Sequence, residues 1–439
     1  MKKLVSTFLL AFLLLSCSKK EGKVDTDKIA RIINEYSKHG YFSGVALITK
    51  GDKVIFELSN GLKNDTEDKI NDESQFFIGS VTKQFTAALV LKALYEKFMQ
   101  LYNNEEEAIR EVKNALKNPL SVYLNSSHPI WSGSMPNWAN KITLHHLLSN
   151  TSGLVNFTDE PGFEKVTNDL KFYQQEHSQA EVMNLIKDFD LYFEPGKGYN
   201  YSNTNYLLLG LIIESISSTP YDKFLEDRIF NFINMKNSKN PVDGNLGKLK
   251  NRSEYRELVD QFEYNPLDVN AAPERNKSYT NETVLQASRS IISTAKDLNK
   301  WNHALHKSYL ILPKELHELM VKNHAMEFNN NLYGYGIIPT ETNLGPVYTH
   351  TGGVDGFQSL VRYYKDDDIS LIILSNLGPD MDVFTDKINE MENSLKPKVA
   401  NPVTRKIIAE SRIRALHPDK RSFITFLSEI DEATIQDVH

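Results

Sequence analysis

The sequence is nearly devoid of cysteine, because Cys17 is the only one among its 439 residues. A disulfide needs two cysteines, and a structural zinc site usually uses several. The chain after Cys17 therefore has no thiol for a disulfide, a cysteine nucleophile or a thiolate-bound metal. We expect neither a metal nor a cofactor.

Excess positive charge is also missing. The chain has 50 Lys and Arg against 57 Asp and Glu, which gives a net charge of −7. A nucleic-acid-binding protein normally carries a basic surface, so nucleic acid is excluded as a partner. The hydrophobic share of 40% and the charged share of 24% are typical of a globular protein with one large domain or two moderate ones.

A hydrophobic run long enough to cross a membrane is absent as well. The apolar residues 4–15 follow two lysines and fall short of the about 20 residues that a spanning helix needs, which is typical of a signal peptide. The ending "LLSC" resembles a bacterial lipoprotein cleavage box, which predicts cleavage after residue 16 and lipidation of Cys17. An ordinary secretory signal with an incidental cysteine is the alternative.

These features predict the outer organisation of the chain. We expect a signal peptide at residues 1–16, a solvated tether at 17–28 and export to a bacterial membrane, anchored through Cys17. Ser18, in place of Asp, favours an outer membrane, with the protein facing the periplasm or the exterior. A domain at 29–395 follows, and the charged segment 396–439 predicts a helical extension outside it.

Hydrophobic patterns predict strands at both ends of the domain and helices between them. Two β-rich runs flank Gly51 in "FSGVALITKGDKVIFELSNG", and residues 357–375 predict a second hairpin. Helical periodicity extends from Ser80 to about Leu101 and again over residues 205–217. The charged segment at about 102–118 predicts a solvated helical insertion. Together these patterns predict one sheet whose strands lie far apart in sequence.

The segment "FFIGSVTKQF" places Ser80 and Lys83 three residues apart at the start of a predicted helix. Residues i and i+3 share a helix face, so the lysine amine can reach the serine hydroxyl and act as its base. The same spacing recurs at residues 16 and 19 and at residues 293 and 296. Signal cleavage would separate the first of these pairs. The second lacks an apolar lead-in, and we interpret its lysine as a residue of a helix start.

Other segments follow Ser80 in a fixed order. Tyr201 and Asn203 lie in "FEPGKGYNYSNTNYLLLG", and His350, Thr351 and Gly353 lie in "YTHTGGVDGF". Together with "ITLHHLLSNTSGL" and "IISTAKDLNKW", they resemble the serine β-lactamase and penicillin-binding-protein superfamily. The likeness is greatest to the class C β-lactamase-like branch of esterases and D-aminopeptidases, and it covers roughly residues 30–395. It implies an α+β, β-lactamase/transpeptidase-like fold, with an antiparallel sheet flanked by helices and an inserted, mostly helical subdomain.

The resemblance also implies roles for individual residues. Ser80 matches the acylated nucleophile, and Lys83 matches its base. Tyr201 matches the tyrosine that carries the proton to or from the leaving group. Asn203 matches the residue that binds the substrate amide and steadies the lysine. The backbone N–H groups of Ser80 and Gly353 match the oxyanion hole.

The third motif departs from the penicillin-recognising pattern, because His350 stands where those members carry lysine. Lysine is always charged, whereas histidine is charged only near or below pH ~6.5 unless its site changes that. With His350 and Thr351 as substrate-binding residues, esters and D-aminoacyl amides are favoured over carboxylate-bearing substrates. A β-lactamase or a D-Ala-D-Ala carboxypeptidase is one alternative, and a catalytically silent binding protein is another. The sequence thus predicts a lipid-anchored serine hydrolase of the cell envelope, with a small-molecule or peptide-like substrate.

A metal site is not predicted. His303 and His306 share a helix face, but the sequence around them offers no third ligand.

Overall fold

The computed structural model describes most of the predicted domain. The described residues are 24–38, 42–64, 68–158, 175–241, 249, 255, 257–264, 274–275, 281–326, 332–342, 345–354, 356–379 and 430. The predicted signal peptide and the predicted lipidation site, Cys17, lie outside them. Within these ranges, none of the helices combines the length and the apolar character needed to span a bilayer.

A six-stranded antiparallel sheet joins the two ends of the domain. The first hairpin consists of β1 (Gly44–Lys50) and β2 (Lys53–Asn60), and the last of β11 (Phe357–Tyr364) and β12 (Ile369–Ser375). Strand β1 pairs with β12, which brings the distant ends of the sequence side by side. Both predicted hairpins are therefore confirmed, and they belong to one sheet, as predicted.

The sheet is completed by strands on its far side, and shorter strands lie outside it. The main sheet adds β9 (Ile338–Thr342) and β10 (Gly345–Val354), in the order β2-β1-β12-β11-β10-β9. The short strands are β3 (Phe76–Phe77), which pairs with β6 (Ile292–Ser293); β7 (Ala325–Met326), which pairs with β8 (Leu332–Tyr333); and β4 (Phe262–Tyr264), which lies between β5 (Glu274–Arg275) and β13 (Leu377–Pro379).

Helices of very different lengths connect these strands. The α-helices are α1 (Thr26–Lys38), α2 (Thr82–Tyr102), α3 (Glu105–Ala115), α4 (Leu144–Leu148), α5 (Gln179–Ile186), α6 (Asn203–Ser217), α7 (Tyr221–Leu225), α8 (Gln286–Arg289), α9 (Ala295–Asn302) and α10 (Lys314–Val321). Short 3₁₀ turns lie at Gly79–Val81, Leu120–Val122, Pro129–Trp131, Asn137–Asn140 and Glu282–Leu285, and π-helical turns at Glu226–Phe230 and His303–Lys307.

The centre of the sheet is buried on both faces, which explains why β1 and β12 are mostly apolar. Side chains of a strand alternate between the two faces. In β1, Val45 and Leu47 therefore enter the larger core, whereas Ala46 and Ile48 enter a second cluster on the opposite face. Helix α1 covers that second cluster. Helices α2 and α6 pack against each other within the larger core.

Helix α2 is buried nearly all round in its first three turns, so its position depends on packing rather than on one apolar stripe. Helix α3, in the predicted insertion, packs on α2 through Ala108, Ile109 and Val112 and exposes its acidic first turn. The prediction of a charged surface helix is confirmed, although one face of it belongs to the core.

Both predicted edges of the domain need adjustment. Residues 26–28, assigned above to the tether, form the first turn of α1. Ile430 lies in the segment predicted as a separate extension, yet it is fully buried in the second cluster beside Ile29 and Ile33. At this residue the C-terminal segment is part of the domain core.

Candidate active site

Ser80 lies where a short strand turns into α2, a helix whose first three turns are almost entirely buried. Strand β3 ends at Phe77, and the 3₁₀ turn Gly79–Val81 leads directly into α2. Gly79 has a φ of +54°, a backbone conformation that glycine adopts without a steric penalty. The predicted position of Ser80 at a helix N-terminus is therefore confirmed.

Strand β10 lies so close to this turn that only glycines fit between them. A Cβ atom on Gly79 would lie 2.6 Å from the backbone nitrogen of Gly353, and one on Gly352 would lie 2.0 Å from the carbonyl oxygen of Ile78. The Ser359 hydroxyl on the adjacent strand donates to that same oxygen at 2.7 Å. The backbone N–H of Gly353 thus lies beside the turn that carries Ser80.

Lys83 is fully buried, and its amine contacts Ser80. The distance from Lys83 Nζ to Ser80 Oγ is 3.0 Å. Nζ also donates to two carbonyl oxygens, Asn203 Oδ1 at 2.6 Å and Ser288 O at 2.9 Å. The ring of Tyr201 lies 4.8 Å from the amine, measured to the ring centroid. The structure therefore brings together four of the predicted site residues from two distant segments.

This arrangement suits a base. A neutral amine has two N–H groups and one lone pair. When Asn203 and Ser288 accept the two hydrogens, the lone pair is left for the hydroxyl of Ser80. The site can then take a proton from the serine without first rearranging its hydrogen bonds.

His350 reaches the same site from β10, but as a buried neutral group. Its Nδ1 atom lies 2.6 Å from the carbonyl oxygen of Thr351, and its Nε2 atom lies 3.3 Å from the hydroxyl of Tyr333. Burial, and secondarily the nearby Lys83, lower the pKa of His350 to about 4. The imidazole therefore does not titrate near pH ~6.5, as a histidine ordinarily does, and it is neutral at physiological pH. Thr351, the next residue, is exposed.

Several residues of the site were not found from the sequence. Tyr333 lies under His350, and burial raises its pKa well above the ordinary value, so it is a neutral phenol. Ser288 contributes only a backbone carbonyl, which any residue could supply. Asn156 and Thr158 hydrogen-bond Asn203. None of the four lies in a pattern that distinguishes it from ordinary polar residues.

The competing serine–lysine pair is not a site. Lys296 lies in the first turn of α9, as predicted from the sequence, and forms ion pairs with Asp72 and Glu57. Its partner in the pattern, Ser293, is buried and hydrogen-bonded to Ser238. Of the two serine–lysine pairs that the structure describes, the one at Ser80 therefore combines a nearby lysine with a glycine-lined approach.

The two histidines that share a helix face, His303 and His306, do not converge on one point. His306 Nδ1 is 2.9 Å from His317 Nε2, whereas His303 lies 3.4 Å from the carboxylate of Asp52. Among the residues that the structure describes, no group of three or more His, Cys, Asp and Glu side chains is placed to hold a metal ion.

The fold and the site together define a class of protein. A serine at a helix N-terminus, paired with a buried lysine and placed against an antiparallel sheet, is the arrangement of a serine hydrolase. Residues 29–393 match the protein-family model described as Beta-lactamase, and the chain belongs to that family.

Individual relatives are distant. Penicillin-binding protein 4* of Bacillus subtilis (strain 168) is 25% identical over 352 residues, which are 77% of this chain and 69% of that protein. Protein flp of Staphylococcus aureus (strain N315) is 24% identical over 359 residues, and the match spans 63% of its length. A D-stereospecific amidohydrolase from Streptomyces sp. shares the fold, with a TM-score of 0.62 and 23% identity, over 82% of this chain and 97% of that one.

The close approach of β10 to the serine turn predicts a specific effect of Gly79→Ala. The new Cβ would press on the Gly353 backbone and displace Ser80. Because a shift of about 1 Å can cost 10²-fold in rate, we expect fluorophosphonate labelling to slow about 100-fold.

The control is Gly133→Ala, where φ is also positive, at +123°, but no atom lies within 4 Å of the added carbon. Gly133→Ala should lose only about 1–3 kcal/mol of stability and keep its labelling rate. Equal labelling rates in the two variants would contradict this account.

Proposed function

We propose that the protein is a cell-envelope serine hydrolase that works through an acyl-enzyme on Ser80 and cleaves an ester, an amide or a D-amino-acid-type peptide bond. The observation that carries the proposal is the 3.0 Å contact between Ser80 Oγ and the buried Lys83 amine. Family membership supports the reaction class, the resemblance of the motifs supplies the residue roles, and the contacts around Lys83 agree with them.

The proposed mechanism assigns a residue to each step. The Ser80 hydroxyl gives its proton to Lys83 as Oγ attacks the substrate carbonyl, and a tetrahedral oxyanion forms. The backbone N–H groups of Ser80 and Gly353 are the proposed donors to that oxyanion. Tyr201, whose ring lies 4.8 Å from the Lys83 amine, is the proposed carrier of the proton to the leaving group, whose bond to the carbonyl carbon breaks as the oxyanion collapses to the acyl-enzyme. Water then attacks the acyl-enzyme, and the same groups act in reverse.

The neutral state of His350 supports substrates without a carboxylate at this position. A buried imidazole with a pKa of about 4 offers almost no cation to a terminal carboxylate between pH 6 and 8. The solved relative from Streptomyces sp. is named a D-stereospecific amidohydrolase, which agrees with an amide substrate. Hydrolysis of β-lactams or of a terminal D-Ala peptide is the less favoured alternative. A screen of esters, D-aminoacyl amides and nitrocefin distinguishes these substrate classes.

Labelling by a fluorophosphonate probe tests the nucleophile and the base. Ser80→Ala should abolish labelling, and Lys83→Ala should slow it by about 10²–10⁴-fold, the usual contribution of a general base. The matched control is Lys296→Ala, because Lys296 belongs to the competing pair and is partly exposed. That variant should label like the wild type. Labelling of Ser80→Ala at the wild-type rate would rule out the proposed mechanism.

The neutral state of His350 predicts that the preference between charged and uncharged substrates changes little with pH. The measured quantity is the acylation rate for a carboxylate-bearing β-lactam divided by the rate for an uncharged ester. In the wild type this ratio should stay nearly constant from pH 8 to 6, because the imidazole stays neutral well above a pKa of about 4. His350→Lys should raise the ratio about 10- to 100-fold, the scale of a charge-assisted contact. A wild-type ratio that climbs as the pH falls through 6.5 would show a charged imidazole instead.

We propose further that the hydrolase is held at a bacterial membrane, in an outer membrane where the cell has one, by lipidated Cys17. The support is the "LLSC" ending and the charged residues 18–25 that follow it. In cells, Cys17→Ser should move the protein from the membrane fraction to the soluble fraction and prevent incorporation of a labelled fatty acid. The Ser80→Ala variant is the control and should stay in the membrane fraction. A fatty acid incorporated without Cys17 would contradict the anchor.

A further inference from the structure

We infer that Asn156 and Thr158 are positioning residues that fix the orientation of the Asn203 side-chain amide. Through that amide they hold the Lys83 amine with its lone pair toward Ser80. The inference rests on the proposed function, because it concerns the same base and nucleophile. It adds two residues to that site, and both lie in the loop that follows "NTSGL".

The hydrogen-bond chain begins at a backbone N–H, a group that can only donate. This group determines which atom donates in each of the bonds that follow. The backbone N–H of Asn203 lies 2.9 Å from Asn156 Oδ1, so this side-chain atom must be the acceptor oxygen. The backbone N–H of Thr158 points to the same oxygen at 3.5 Å. Asn156 is 97% buried, with 3% of its surface exposed, so its orientation is set by the protein rather than by water.

The threonine hydroxyl transmits that direction. Thr158 Oγ1 lies 3.1 Å from Asn156 Oδ1, and because that atom is an acceptor, the hydroxyl hydrogen must go to it. The oxygen of Thr158 then has only lone pairs to offer on its other side. The group 2.7 Å away must therefore be the NH₂ end of Asn203.

The orientation of the Asn203 amide determines what the Lys83 amine contacts. With its NH₂ end on Thr158, Asn203 presents its carbonyl oxygen to Lys83 at 2.6 Å. Ser288 O accepts a second hydrogen of the amine at 2.9 Å. If the Asn203 amide were reversed, its NH₂ group would donate to the lone pair of the Lys83 amine. That lone pair could then no longer accept the proton of Ser80. Asn203 is itself largely buried, so water offers little compensation for a lost bond.

The decisive comparison is between two substitutions of Thr158. Thr158→Val keeps the shape but removes the oxygen, whereas Thr158→Ser keeps the oxygen but removes a methyl group. We expect Thr158→Val to slow fluorophosphonate labelling of Ser80 about 10- to 100-fold and Thr158→Ser to stay close to the wild type. Thermal unfolding of both variants serves as the folding control. Wild-type labelling in Thr158→Val, or an equal loss in both variants, would overturn the inference.

A double-mutant cycle shows whether Thr158 acts through the amide. In an Asn203→Ala background, Thr158→Val should cause no further loss, because the group that it orients is gone. If instead the double variant lost labelling rate by the product of the two single losses, the inference would be overturned and Thr158 would have an independent role. The Ser80→Ala variant distinguishes a failure of the proposed function from a failure of the positioning inference. If it still labels, the proposed function fails; if it does not label but Thr158→Val equals the wild type, only the positioning inference fails.

Discussion

The contact on which the site depends is the one between the Lys83 amine and the Ser80 hydroxyl, 3.0 Å apart. Burying an amine is costly unless its hydrogens are accepted by protein groups. Here two carbonyl oxygens, from Asn203 and Ser288, accept them. When the amine is neutral, the same two contacts that stabilise it in the core also leave its lone pair for the serine hydroxyl, so stability and reactivity then have one structural origin.

The fold serves this contact by bringing distant segments within a few ångströms. Helix α2 supplies Ser80 and Lys83, the start of α6 supplies Asn203, and β10 supplies the backbone of Gly353. The sheet fixes β10 through regular antiparallel pairing with β11. Glycines at the contact allow the strand to approach the serine turn more closely than any side chain would permit. Substitutions at these glycines therefore affect chemistry and packing together.

The sequence predicted features that depend on local pattern. Alternating and apolar runs located both hairpins, helical periodicity located α2 and α6, and the order of the motifs selected Ser80 over the pair at 293 and 296. It could not predict a contribution made by the backbone, such as the carbonyl of Ser288. Nor could it predict the pKa of His350, which depends on burial beside Lys83. Ile430 was misplaced for a similar reason, since a single buried side chain leaves no periodic pattern.

The central claim is that Ser80 is the residue that becomes acylated. The most direct test is to locate the adduct by peptide mapping and tandem mass spectrometry after brief reaction with a fluorophosphonate. Cleavage after Lys69 and Lys83 releases a peptide that contains two serines, Ser74 and Ser80. The account predicts one adduct per chain, on Ser80 and not on Ser74. An adduct on another residue of the folded protein, with Ser80 unmodified, would contradict it.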